Sequence, residues 1–206
     1  MTARSQVTAL AMPGGAGPRT QAPRRVPGED GIWVFVLGDM TVFALFFATF
    51  MYSRGKNPDA FSQDHHSLDV ALGTTNTVLL LSSSLFVALG VTRIRAGNHR
   101  GGFGLCVTAL GCGVGFVVVK TVEWSRLFLA GKSVGSSEYF SYYFMFTGIH
   151  LVHVLVGAAV LCRLIWLTRQ SESSERQRML CETGGIFWHM VDLLWVVLFA
   201  LFYVLG

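Results

Sequence analysis

Five apolar stretches, each near the ~20 residues a helix needs to cross a bilayer, constrain this chain more than any other feature. They run over about 31–52, 72–92, 102–129, 140–168 and 182–206. The segments between them are too short for a soluble domain, and no internal repeat is visible. With 52% hydrophobic and 14% charged residues and a mean hydropathy of +0.51, the chain is too apolar for a soluble domain of its size. The reading is an all-α integral membrane protein, a bundle of five transmembrane helices spanning 28–206. Residues 1–27, rich in Gly, Pro, Ala, Thr and Arg, read as a disordered cytoplasmic tail. That tail lacks the apolar core and cleavage site of a secretory signal.

Charge placement sets an expected orientation. Arg4, Arg19, Arg24 and Arg25 precede the first block, Arg93, Arg95 and Arg100 follow the second, and Arg163, Arg169, Arg176 and Arg178 follow the fourth. The opposite side offers only Arg54, Lys56, Arg126 and Lys132, diluted by Asp59, Asp64 and Asp69. The positive-inside rule then places the N-terminus inside and the C-terminus outside. The same placement accounts for the formal net charge of +4 without nucleic acid, for which no basic-aromatic module is present. Cys106, Cys112, Cys162 and Cys181 form no Cys-x-x-Cys pair and read as small packing residues. Gly111-x-x-x-Gly115 reads as a close helix contact, and Thr74 to Thr77 and Ser82 to Ser84 as interhelical hydrogen-bonding groups.

Ionisable residues inside hydrocarbon are costly and are functional candidates by default. Four blocks carry them: Asp39; Lys120 with Glu123; His150 with His153; and His189 with Asp192. Each pair is spaced i, i+3, which puts both side chains on one helix face. Three readings compete. A bound redox metal or haem would use the histidines and carboxylates. No Glu-x-x-His repeat of a di-iron bundle is present, however, and no helix spaces two histidines for stacked haems. A proton-coupled transporter would use the carboxylates, yet no broken helix pair or inverted half supports alternating access. The structural reading has these groups pair with one another and set helix register. Asp39 stands apart, with no charged neighbour within a turn of its own helix.

The order of these motifs resembles a family. Trp188-His189-Met190-Val191-Asp192-Leu193-Leu194-Trp195 resembles the W-H-F-V-D-V-V-W signature of subunit III of the haem-copper oxidases, with Glu182 where that family also has a glutamate. Thr147-Gly148-Ile149-His150-Leu151-Val152-His153-Val154-Leu155-Val156-Gly157 resembles its T-G-x-H-x-x-H-V-x-x-G helix. Glu123-Trp124 and Asn76-Thr77 resemble two further elements, and Asp39 falls where the family places an acidic residue. Lys120 departs from the usual glutamine, and the chain lacks the two extra N-terminal helices of the seven-helix form. The five-helix shape is similar to the third subunit of quinol oxidases and to NorE-type proteins linked to nitric oxide reductase. The start Pro27-Gly28-Glu29-Asp30-Gly31-Ile32-Trp33-Val34 looks most like the NorE type.

The resemblance implies an accessory, non-catalytic subunit in the bacterial plasma membrane. Such a subunit packs on a catalytic subunit I that carries haem and copper, binds no metal itself and holds structural phospholipid. It also implies support of assembly, stability and proton uptake. Asp39 and Glu123 become the carboxylates with a proton-related role. Lys120, His150, His153, Glu182, His189 and Asp192 become a buried polar network, and Arg163, Arg169, Arg176 and Arg178 candidates for lipid headgroups.

Overall fold

A computed structural model describes residues 30–65, 67–168 and 175–205. The expected tail over 1–27, Arg169 and the side chains of Arg176 and Arg178 lie outside the described residues. The helices are α1 (Asp30–Lys56), α2 (Pro58–His65), α3 (Val70–Arg95), α4 (His99–Leu129), α5 (Glu138–Thr168) and α6 (Glu175–Phe199), which runs into a π-helical turn, Ala200–Val204. All but α2 and the π turn are long and apolar enough to cross a membrane, and the described residues contain no β-strand. The all-α, five-span architecture expected from hydropathy is the one observed.

Polar caps, more than hydropathy, decide where these helices begin and end. The Asp69 carboxylate accepts from Ala71 N at 3.0 Å and starts α3; the Asn98 side chain accepts from Gly101 N at 2.9 Å and starts α4. Helix α3 stops at Gly97, where φ is +81°, with Asn98 N–H donating to Arg93 O and Gly97 N–H to Ile94 O. This is the Schellman arrangement, which glycine adopts without steric cost. It repeats at the end of α4 around Gly131, φ +78°.

The tight Gly97–Asn98 turn folds α3 and α4 into an antiparallel hairpin. Its tightest glycine contact is Gly102 against Ile94 and Gly90; of the expected pair, a Cβ on Gly115 would meet Leu79 of α3 at 3.5 Å, and Gly111 does not reach α3. A Cβ on Gly102 would run into the Ile94 side chain and lie 3.1 Å from Gly90 O, whereas one on Gly111 meets nothing within 4 Å. Helix phase explains the correction: Gly111 lies on the outer face of α4, and the buried face carries Gly102, Cys106, Ala109 and Gly113. Gly102→Ala should therefore destabilise the bundle by about 1–3 kcal/mol through overpacking. Gly111→Ala should be near neutral, and equilibrium unfolding in mixed micelles compares the two.

Helix α6 is the axis of the bundle. In its spanning segment 61% of the most apolar window is buried, against 11% for α1, so α6 is enclosed and α1 lies outermost. It packs against α3, α5 and α1. Aromatic rings fill the end where α1, α2, α5 and the π turn meet: Phe50 stands 5.0 Å from Phe202 and 5.5 Å from Phe61 between ring centroids. Buried Phe61, together with Asp64 accepting from Lys132 at 3.3 Å, holds the short α2 to the bundle. The exposed side chains of α1, such as Val34, Leu37 and Leu45, form an apolar outer surface of the kind hydrocarbon chains cover.

Candidate functional site

The polar residues inside the bundle fall into three groups. The first centres on Lys120 and Glu123 of α4, both buried. Lys120 Nζ donates to Glu123 Oε2 at 3.0 Å, Tyr143 Oη at 2.8 Å and Tyr203 Oη at 3.0 Å. An ammonium has three donors, and these bonds use all of them. Tyr203 in turn donates to Glu123 Oε1, so both carboxylate oxygens are engaged. The ring of Trp195 lies 5.0 Å from Nζ, adding a cation–π contact. The i, i+3 spacing brings the ion pair together on one helix, but two other elements close it: Tyr143 comes from α5 and Tyr203 from the π turn. Two buried charges are tolerable in hydrocarbon only when their remaining bonding capacity is filled in this way.

The second group joins Asp39 of α1 to His153 of α5. Asp39 Oδ1 lies 3.2 Å from His153 Nε2, while His153 Nδ1 lies 2.8 Å from Ile149 O. A carbonyl can only accept, so Nδ1 carries a proton. Nε2 and Oδ1 are then close enough to share one proton, which either atom can hold. Asp39, without a charged neighbour on its own helix, thus gains a polar partner from across the bundle.

The third group belongs to α6 and α3, which run antiparallel. Trp188 Nε1 donates to Ser83 Oγ at 3.1 Å, and Ser83 Oγ donates to Ala109 O at 2.8 Å. Trp195 Nε1 donates to Thr77 Oγ1 at 3.1 Å. His189 Nδ1 lies 2.5 Å from Ser84 Oγ and 3.8 Å from Asp192 Oδ2. Of the serines and threonines read as interhelical, Ser83, Ser84 and Thr77 bond across helices. Thr74 and Thr75 bond back to Val70 O and Ala71 O of their own helix.

The polar constellation of the sequence is therefore not one network. His150 and His153 diverge: His153 meets Asp39, whereas His150 is wedged between Phe116 and Trp195, at 5.7 and 5.3 Å between centroids. Among the described residues, neither His150 ring nitrogen has a hydrogen-bond partner. Glu182 sits at the rim, paired with Arg95 at 2.8 Å. Arg163 is exposed, its guanidinium 4.9 Å from the centroid of the Trp166 ring. Spacing and motif do not single out Tyr143 and Tyr203; the signal the sequence holds for them is a tyrosine hydroxyl at bilayer depth, which needs a partner. Among the described residues, no group of three or more His, Cys, Asp or Glu side chains could hold a metal ion.

An all-α bundle of five spanning helices, its intramembrane charges tied by side-chain bonds across helices, defines a polytopic membrane protein. Residues 26–206 match the family model described as cytochrome c oxidase subunit III, and the chain belongs to that family. It is 29% identical over 191 residues to cytochrome c oxidase subunit 3 of Corynebacterium diphtheriae, covering 88% of this chain and 93% of the relative. It is 25% identical over 182 residues to quinol oxidase subunit 3 of Bacillus subtilis, covering 85% and 86%. A haem-copper oxidase subunit I+III of Aeropyrum pernix is 26% identical over 184 residues, 85% of this chain but 22% of that longer polypeptide.

Proposed function

We propose that this chain is the accessory third subunit of a haem-copper terminal oxidase in the bacterial plasma membrane. It packs on a catalytic subunit that holds the haem and copper and reduces oxygen. The observation that carries this reading is the family match together with the Aeropyrum pernix relative, whose one polypeptide is named for subunits I and III together. In that reading this chain does no redox chemistry. Its own residues supply a rigid membrane scaffold: Lys120, Glu123, Tyr143 and Tyr203 lock α4, α5 and the end of α6, and Asp39 and His153 lock α1 to α5. Of the two family carboxylates, Glu123 is committed to its ion pair, and Asp39 shares a proton with His153, which suits it to the proton-related role. Exposed Arg163 stands at the end where anionic headgroups of the inner leaflet would lie, and the sequence places Arg169, Arg176 and Arg178 as further headgroup candidates, with structural phospholipid along the outer faces.

Affinity capture of this chain from native membranes tests the reading. The captured complex should show the Soret absorption of haem and reduce oxygen with cytochrome c or quinol as donor. A complex that instead reduces nitric oxide would place the chain with the NorE-type proteins. Capture without any haem-bearing partner would overturn the assignment. Proton flux catalysed by the chain alone in liposomes would support a transporter.

A further inference from the structure

The relation of His189 and Asp192 to the surface is not used by the scaffold described above. A groove of about 260 Å³ opens between α3 and α6, lined by Thr92, Arg95, Glu182 and Gly185 toward the arginine-rich end and by His189 farther in. From Glu182 to His189 is two turns of α6, about 10 Å along the axis. The His189 side chain is 44% exposed, while the Asp192 side chain is 5% exposed and, among the described residues, neither of its oxygens has a hydrogen-bond partner within 3.5 Å. His189 Nδ1 lies between the two environments, 2.5 Å from Ser84 Oγ and 3.8 Å from Asp192 Oδ2. An accessible imidazole, oriented by a hydroxyl and set against a buried carboxyl with unfilled bonding capacity, is the arrangement of a proton relay.

We propose that Asp192 is a proton-exchange site that communicates with the arginine-rich end of the bundle through His189 and the α3–α6 groove. A small rotation of the His189 ring away from Ser84 closes the 3.8 Å gap. The Asp192 carboxyl then passes its proton to Nδ1 while Nε2 gives one up to water in the groove; the reverse sequence reprotonates Asp192, and nothing is oxidised or reduced. Arg93 and Arg163, on the helices around α6, are exposed, and the buried or groove-lining charged groups there have partners of their own. Arg95 pairs with Glu182 at the mouth, His153 with Asp39, and Lys120 with Glu123. His150 lies against the ring of Trp195, three residues beyond Asp192. The proposal does not rest on the oxidase assignment: it concerns this chain's own residues and survives a failed capture experiment.

The test is infrared difference spectroscopy after a pH jump, on the full chain purified from native membranes with whatever subunits accompany it. The expected result is a carboxyl C=O band that titrates reversibly, shifts in D2O and is absent in the isosteric Asp192→Asn. In His189→Ala the band should persist but respond about a hundredfold more slowly, and imidazole added to the medium should restore the rate. Ser84→Ala, which keeps the imidazole but frees its orientation, should slow the response less. It also serves as the readout if His189→Ala does not assemble. A band unchanged by Asp192→Asn, or a response as fast in His189→Ala and Ser84→Ala as in the native chain, would overturn the proposal.

Discussion

Lys120→Met should destabilise the bundle by about 3–5 kcal/mol, the cost of leaving one member of a buried ion pair without its partner. The methionine fills much of the lysine's volume, so lost packing contributes little. What is lost is the counter-ion of Glu123, a residue 3% exposed that also accepts from Tyr203. Glu123→Leu alone should cost a similar amount, because the ammonium would then keep only two neutral hydroxyls. The double variant Lys120→Met/Glu123→Leu should recover most of the loss, since Tyr143 and Tyr203 stand 3.3 Å apart and can bond to each other. Lys120→Gln, which introduces the residue usual in the resembling family, should be milder than Lys120→Met, because an amide still donates to the carboxylate. Equilibrium unfolding in mixed micelles, read as a double-mutant cycle, measures the coupling. A cycle with no coupling would mean the pair contributes nothing beyond its separate members.

Trp188→Ala should cost about 3 kcal/mol, the lower end for a buried aromatic replaced by alanine. In a membrane the transfer contribution shrinks, because lipid tails are as apolar as the core. The cavity and the forfeited dispersion contacts remain. The Trp188 ring fills space left by two glycines on different helices: a Cβ would come within 3.0 Å of it from Gly113 and 2.7 Å from Gly157. The indole N–H also loses Ser83 as acceptor. Gly157→Ala should by itself cost about 1–3 kcal/mol by overpacking. In the Trp188→Ala background the same substitution should be harmless, because the clashing ring is gone. Thermal unfolding of the purified variants checks both signs, and a Gly157→Ala penalty that persists without the indole would refute the contact.

Much of this was legible in the sequence for a specific reason. Spanning helices leave no choice about their hydrogen bonds, since every backbone group in hydrocarbon must be satisfied within the helix. Apolar length alone therefore set the count and order of the spans. The i, i+3 spacing likewise brought Lys120 to Glu123, because both lie on one rigid helix. The spacing could not say what lies opposite. It grouped His150 with His153, yet residues three apart on a helix differ by about 60° in direction, enough here for one to reach α1 and the other to face Trp195. It offered Gly111 as a packing site, which the phase of α4 turns outward.

The sequence by itself determined an all-α membrane chain with five spans, charged groups at bilayer depth and, through the order of its motifs, the family. Hydropathy and spacing are properties of one helix at a time, and they survive without knowing the neighbours. Only the tertiary structure decided which groups are partners. Tyr203 reaches Glu123 from a π turn 80 residues away, and Asp39 finds its proton partner on α5. His189 lines a groove that reaches Arg95 and Glu182, and Asp192 lies one turn farther along α6, almost wholly buried. The physical reason is that rotation and register between helices come from packing and cross-helix bonds, which depend on pairs of residues far apart in the chain.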